Sequence, residues 1–243
     1  MVTTDFKGVR VKRISIFLSM ILLPVALEAS PKLEFKERLV KSATEKAKQG
    51  DANAQFTLGE MYYLGFLGKK DYDKAIYWYE KAAEGGHRKA EFNLGYIYFT
   101  GKGGKKDYKK AFEWFSEAAE DGDPKAMLYL GDMYYKGLGV KKDYQKAFQW
   151  YKKTADMGYP KAQYQTGIMY KRGLGVEKDI EKAKYYLKRS AIQSCAEAEL
   201  ELGKMYLTGD EIEKDEDKAI RLLKKALKDG KTEAKEYLKQ LEE

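Results

Sequence analysis

The sequence predicts an all-α fold, a right-handed α/α superhelical solenoid made of five tandem helical hairpins. Three observations carry this expectation. Gly59, Gly95, Gly131, Gly167 and Gly203 stand 36 residues apart, and Ala54, Ala90, Ala126, Ala162 and Ala198 recur in the same register. A fixed period of that size is the signature of a repeat array. Within a period the apolar residues fall at helical spacing, as in Ala54, Leu58, Met61 and Tyr62. Asp71, Asp107, Asp143, Asp179 and Asp215 then recur at a phase where a second helix must begin. Such arrays expose an extended surface rather than a pocket, so the function class that follows is binding of another macromolecule.

The elements follow in chain order. Lys7, Arg10, Lys12 and Arg13 precede an uncharged stretch from Ile14 to Leu27, 14 residues long and containing Ser15, Ser19 and Pro24. This pattern reads as a secretory signal over residues 1–29, too short and broken for a permanent membrane span. With cleavage after Ala29 the expected location is the periplasm or the extracellular space. The remaining chain keeps 42 basic and 36 acidic residues, a net charge of +6. Residues 30–50 align with a lone second helix, with Leu39 at the phase of Ala75, and form an N-terminal cap.

The repeats occupy residues 51–230. Helix A of each carries the alanine and the glycine above. A glycine inside a helix costs about 1 kcal/mol relative to alanine, so its recurrence implies close approach by a neighbouring helix. A second periodic glycine, Gly65, Gly101, Gly137, Gly173 and Gly209, ends helix A. A short loop follows, Gly-Leu-Gly-Val at 137–140 and at 173–176, and the periodic aspartate caps helix B. Helix B carries Ala75, Ala111, Ala147, Ala183 and Ala219, with Trp78, Trp114 and Trp150 expected as the large packing partners. Residues 231–243 form a C-terminal cap, a lone polar helix A with Ala234 and Leu238.

The pattern Ala-x-x-x-Leu-Gly-x-x-Tyr, then Gly-x-Gly-Val-x-x-Asp, then Lys-Ala and Trp-Tyr, resembles Sel1-like repeats, clearest at Ala126–Gly158 and Ala54–Gly86. The period of 36 and the longer loop distinguish it from the related tetratricopeptide repeat. The last unit departs, with Asp210-Glu211-Ile212 in place of Leu-Gly-Val and Leu222 at the tryptophan position. The resemblance implies an adaptor that holds proteins together. A secreted branch of similar proteins, the Helicobacter cysteine-rich proteins, implies β-lactam binding or β-lactamase activity as an alternative, and cell-wall polymer binding is a further one. That branch has paired cysteines, whereas this chain has Cys195 alone.

The inventory of reactive residues is thin. A serine β-lactamase needs a serine three residues before a lysine, whereas Ser42, Ser116 and Ser190 precede Glu45, Ala119 and Gln193. One histidine, His87, expected exposed in a turn, and one cysteine do not make a zinc site, so neither a metal nor a cofactor is expected. Charged residues make up 35% of the chain with both signs interleaved, which describes solvated helix faces. No compact Lys/Arg block interleaved with aromatics points to nucleic acid.

By analogy with tetratricopeptide repeats, helix A lines the concave face. The expected partner-binding residues are Phe56, Glu60 and Tyr63; Phe92, Tyr96 and Phe99; Leu128, Asp132 and Tyr135; and Tyr164, Ile168 and Lys171. These positions vary between units while the framework does not. Aromatic rings with a few charges suit a protein or peptide partner, since rings supply area at low entropic cost. The competing expectation is that some of these rings fill gaps between repeats.

Overall fold

A computed structural model describes residues 29–66 and 68–241; the expected signal, apart from Ala29, lies outside the described residues. Among the described residues there are twelve helices and no strand. Helix α1 (Ala29–Lys48) comes first. The A/B pairs follow as α2 (Ala52–Leu64) with α3 (Tyr72–Glu84), α4 (Arg88–Thr100) with α5 (Tyr108–Glu120), and α6 (Pro124–Lys136) with α7 (Tyr144–Asp156). Then come α8 (Pro160–Arg172) with α9 (Ile180–Ile192), α10 (Ala196–Thr208) with α11 (Glu216–Lys228), and finally α12 (Ala234–Lys239). The last helix is shorter than the sequence suggests, and Glu233 at its start makes no capping bond.

Side chains set the boundaries. Each periodic aspartate accepts from the amide three residues on, Lys74, Lys110, Lys146, Lys182 and Lys218, as an N-cap must. Each periodic glycine that ends helix A lies in the left-handed region, with φ between 66° and 75°. Helix A starts less uniformly. Asp51 and Asp123 cap α2 and α6, whereas His87, Tyr159 and Cys195 at the same place make no side-chain cap.

The helical glycine has a specific neighbour. A Cβ on Gly131 would stand 2.5 Å from the ring of Tyr151, and one on Gly95 2.6 Å from Phe115; Gly59 faces Tyr79 in the same way. In the last two units Leu187 and Leu223 fill that space, each 2.8 Å from the would-be Cβ of Gly167 or Gly203. What approaches the glycine is thus a side chain of helix B in the same hairpin. This corrects the packing expected at the tryptophans. The fully buried large residue is the next one, Tyr79, Phe115, Tyr151, Leu187 and Leu223, while Trp78, Trp114 and Trp150 are half-buried.

The core runs across unit boundaries. Ala75, Tyr79 and Ala82 of α3 join Ala90, Leu94 and Ile97 of α4, and the same set recurs as Ala111, Phe115 and Ala118 with Ala126, Leu130 and Met133. Each hairpin therefore completes its core only against the next. Loops lock the stack: a Cβ on Gly139 or Gly175 would collide with the Tyr108 or Tyr144 carbonyl of the preceding helix B, so only glycine seats there. The first-type helices of units one to three touch directly, α2 on α4 and α4 on α6, and no two successive B helices touch as extensively. In these three units helices A thereby take the inner side of the stack. Among the described residues no helix is long and apolar enough to cross a membrane.

Candidate partner-binding surface

Helix A offers its inner side at three phases per turn, and the expected residues are not equivalent there. Ile168 is only 5% exposed and belongs to the core formed with Leu187 and Leu202, so it is removed from the candidate surface. The other eleven are half-buried.

Glu60 and Asp132 are engaged. The Tyr79 hydroxyl donates to Glu60, which also accepts from the Asn93 amide at 2.7 Å. The Tyr151 hydroxyl donates to Asp132 at 2.5 Å. Burial, reinforced by the carboxylate, pushes both phenols far above their ordinary range. A buried tyrosine must find an acceptor, and the helix A acid one position after the glycine supplies it. Where helix B carries Phe115 or Leu187 instead, that position is Tyr96 or Ile168. Lys171 is likewise engaged, with Glu201 at 2.8 Å and Glu211 at 3.0 Å. Burial lowers its pKa and the two carboxylates more than offset this.

The rings behave differently. Tyr63, Phe99 and Tyr135 each meet the first residue of their own helix B edge-on, Tyr72, Tyr108 and Tyr144, at 5.6, 5.4 and 5.1 Å. Phe92, Tyr96 and Phe99 surround Tyr129 of the next unit at 6.0, 6.1 and 5.1 Å, and Tyr129 stacks on Phe115 at 4.7 Å. Phe56 stacks on His87 at 4.2 Å. Leu128 packs over Ala147 and Tyr151, and Tyr164 beside Leu202.

Sequence reasoning missed Tyr129 and Lys102. Lys102 donates to the Tyr63 hydroxyl at 2.5 Å, which raises its pKa, and its ammonium lies 4.9 and 5.1 Å from the Tyr63 and Tyr96 ring centroids. Tyr129 sits on helix A three residues after Ala126, where other units carry small or polar residues; that departure was its signal. Lys102 lies in a loop, with no periodic signal. His87 is half-buried rather than exposed, and burial lowers its pKa.

The inner surface thus changes along the array. Units one to three offer rings with Lys102 over Tyr63 and Tyr96 and Lys125 over Phe92, while the later junctions are closed by ions: Lys171 with Glu201, then Lys204 with Glu233 at 2.6 Å. A cleft of about 280 Å³ opens between Val40, Tyr62, Lys69 and Lys74, and another of about 410 Å³ between Lys70, Tyr72 and Gly103. Among the described residues no group of three or more His, Cys, Asp or Glu is placed to hold a metal ion.

Known proteins share this arrangement. A family model described as Sel1 repeat matches residues 52–87, 88–123, 124–159, 160–195 and 196–231. A Sel1 repeat protein from Oxalobacter formigenes is 36% identical, with a TM-score of 0.70 over 83% of this chain and 86% of that one. The antigen c5321, described as protective and present in uropathogenic Escherichia coli strains, displays an SLR fold; it is 33% identical, with a TM-score of 0.76 over 80% of this chain. The chain spans 42% of that antigen. A sel1-like repeat-containing protein, L18, of Acanthamoeba polyphaga mimivirus is 53% identical over 38 residues, 16% of this chain and 6% of that protein.

Proposed function

The chain belongs to the Sel1 repeat family, whose repeats mediate protein–protein interaction, and we propose that it is an exported adaptor that holds a protein or peptide partner along its helices A. The observation that supports this most is the run of half-buried rings in units one to three. Tyr63, Phe92, Tyr96, Phe99, Tyr129 and Tyr135 present partial faces on adjoining helices, with Lys102 between two of them. Rigid aromatic rings give contact area at little entropic cost, and a cation held among them orients an acidic group or a carbonyl on the partner. The acids and Lys171 at neighbouring positions already have partners, so contact concentrates on the rings. Export rests on the basic and apolar pattern of residues 7–27.

The test is a quantitative pull-down from source-cell envelope extract with the parent chain and a Tyr63→Ser, Tyr96→Ser, Tyr135→Ser variant whose helicity by circular dichroism equals the parent's. A partner retained by the parent and lost by the variant is the expected result. Identical profiles would exclude the ring surface.

A further inference from the structure

The outer side of the B helices carries information of its own. Helix α5 shows Glu113, Glu117 and Glu120 there, all exposed. At the same phases α9 has Tyr185, Arg189 and Ile192, with Lys188 beside them, and α11 has Arg221, Lys225 and Lys228, with Lys224 beside them. The outer face passes from acidic in unit two to basic in units four and five.

The α9 stripe also breaks the solvation rule. Ile192 is 81% exposed and Tyr185 53%; the residues at the phase of Ile192 elsewhere are Glu84, Glu120, Asp156 and Lys228. At the adjoining turn Met157 is 50% exposed. The Gln193 amide donates to the Gly158 carbonyl at 3.0 Å, which sets that turn beside the end of α9. Lys225 reaches the Ala191 carbonyl at 3.3 Å, so the α9 and α11 stripes lie side by side. Lys188, Lys224 and Lys228 have no acidic partner among the described residues, and Arg189 donates to the Tyr185 hydroxyl at 2.9 Å. Of the acids here, Glu181, Glu216 and Asp217 stand at the far, N-terminal ends of the two helices and Asp229 at the end of α11. Asp156 beside Met157 is paired with Lys152 at 2.6 Å, and the buried Glu199 pairs with Lys225 at 2.6 Å, which leaves Lys188, Lys224, Lys228, Arg189 and Arg221 as the cations of the face.

We propose that the outer face of α9 and α11 is a peripheral docking surface for a bilayer rich in anionic phospholipid. Charge complementarity selects the headgroups, since each basic residue near a negatively charged bilayer surface adds to the attraction. Ile192, Met157 and Tyr185 select a bilayer over a soluble polyanion, because a polymer of phosphates gains nothing from an exposed isoleucine whereas the headgroup–acyl boundary buries it. The inner face stays free for a partner while the outer one rests on lipid.

The test reads the site itself, so that any contact by residues 14–27 is not mistaken for it. A full chain with Cys195→Ser and Ile192→Cys carries a solvatochromic dye at position 192; a second, with Cys195→Ser and Glu120→Cys, carries it on the acidic helix. Vesicles of phosphatidylcholine with 30% phosphatidylglycerol should blue-shift the first dye and leave the second unchanged, and pure phosphatidylcholine should shift neither. Arg221→Glu with Lys224→Glu should weaken the response at least tenfold, with helicity retained. No shift at 192, equal shifts at both positions, or a shift without lipid that grows with protein concentration, as a second copy would cause, overturns the proposal. So does an equal shift with dextran sulfate.

Discussion

At the scale of single residues the repeat is a set of paired choices. A tyrosine against the helical glycine comes with an acid 19 residues before it, Glu60 for Tyr79 and Asp132 for Tyr151, and a phenylalanine or leucine comes without one. Removing the Tyr151 hydroxyl by Tyr151→Phe should cost on the order of 2 kcal/mol and Asp132→Asn less, with a double-mutant cycle by urea unfolding showing positive coupling. Additive costs would mean that the pair is incidental. Glu91 makes a second case. Units one and four place Gln55 and Gln163 at this phase, and their amides donate to the Ala47 and Ala155 carbonyls at 3.1 and 3.3 Å. Glu91 is 7% exposed with an unpartnered Oε2, and burial, helped by Asp121 and Glu117, raises its pKa. A raised carboxyl pKa means the folded state loses stability as pH climbs from the unfolded value of 4.5 through the folded one. Glu91→Gln should therefore stabilise by roughly 1 kcal/mol above that window, with the gain shrinking toward pH 4 in thermal melts. The glycine, alanine and aspartate phases were legible in the sequence because each serves one local geometry repeated five times. The acid–tyrosine pairs were misassigned to a partner, since their reason is a burial visible only once helix B is laid on helix A.

Among the elements, helix B is uniformly capped and helix A is not. Asp143→Ala should cost about 1 kcal/mol, and calorimetry that finds no change would show that packing alone sets the start of α7. The turn between α9 and α10 is the weak one. Ser194 has φ 61°, the one non-glycine residue in the left-handed region among those described, where other units have Gly86, Gly122, Gly158 and Gly230. Ser194→Gly should stabilise by about 1 kcal/mol, measured by urea unfolding at constant m-value. The sequence showed that this slot departs from glycine, and the structure adds that the backbone does not adapt. The candidate surface was legible by phase and not by role: the spacing put twelve residues on one side of helix A, but which are exposed depends on neighbours a unit away.

Over the whole molecule, order passes from neighbour to neighbour. Each core strip joins one helix B to the next helix A, so damage should spread locally. Tyr151→Ala should raise amide exchange in α7 and α8 and leave α2 and α3 protected; uniform loss of protection would show a single cooperative block instead. The seat between units also differs along the chain. In units three and four it is Gly139 or Gly175 set against a backbone carbonyl, a contact of shape that salt does not touch. In unit five the seat is Glu211, outside the left-handed region and tied to Lys171 at 3.0 Å and Lys178 at 3.5 Å. Ions at a surface are screened over roughly 8 Å at physiological salt. The joint before the last hairpin therefore adds to its apolar core, Ile168 and Leu187 with Leu202 and Met205, a partly buried ionic contact that weakens as salt rises, whereas the two joints before it are seated by a contact of shape that salt leaves unchanged.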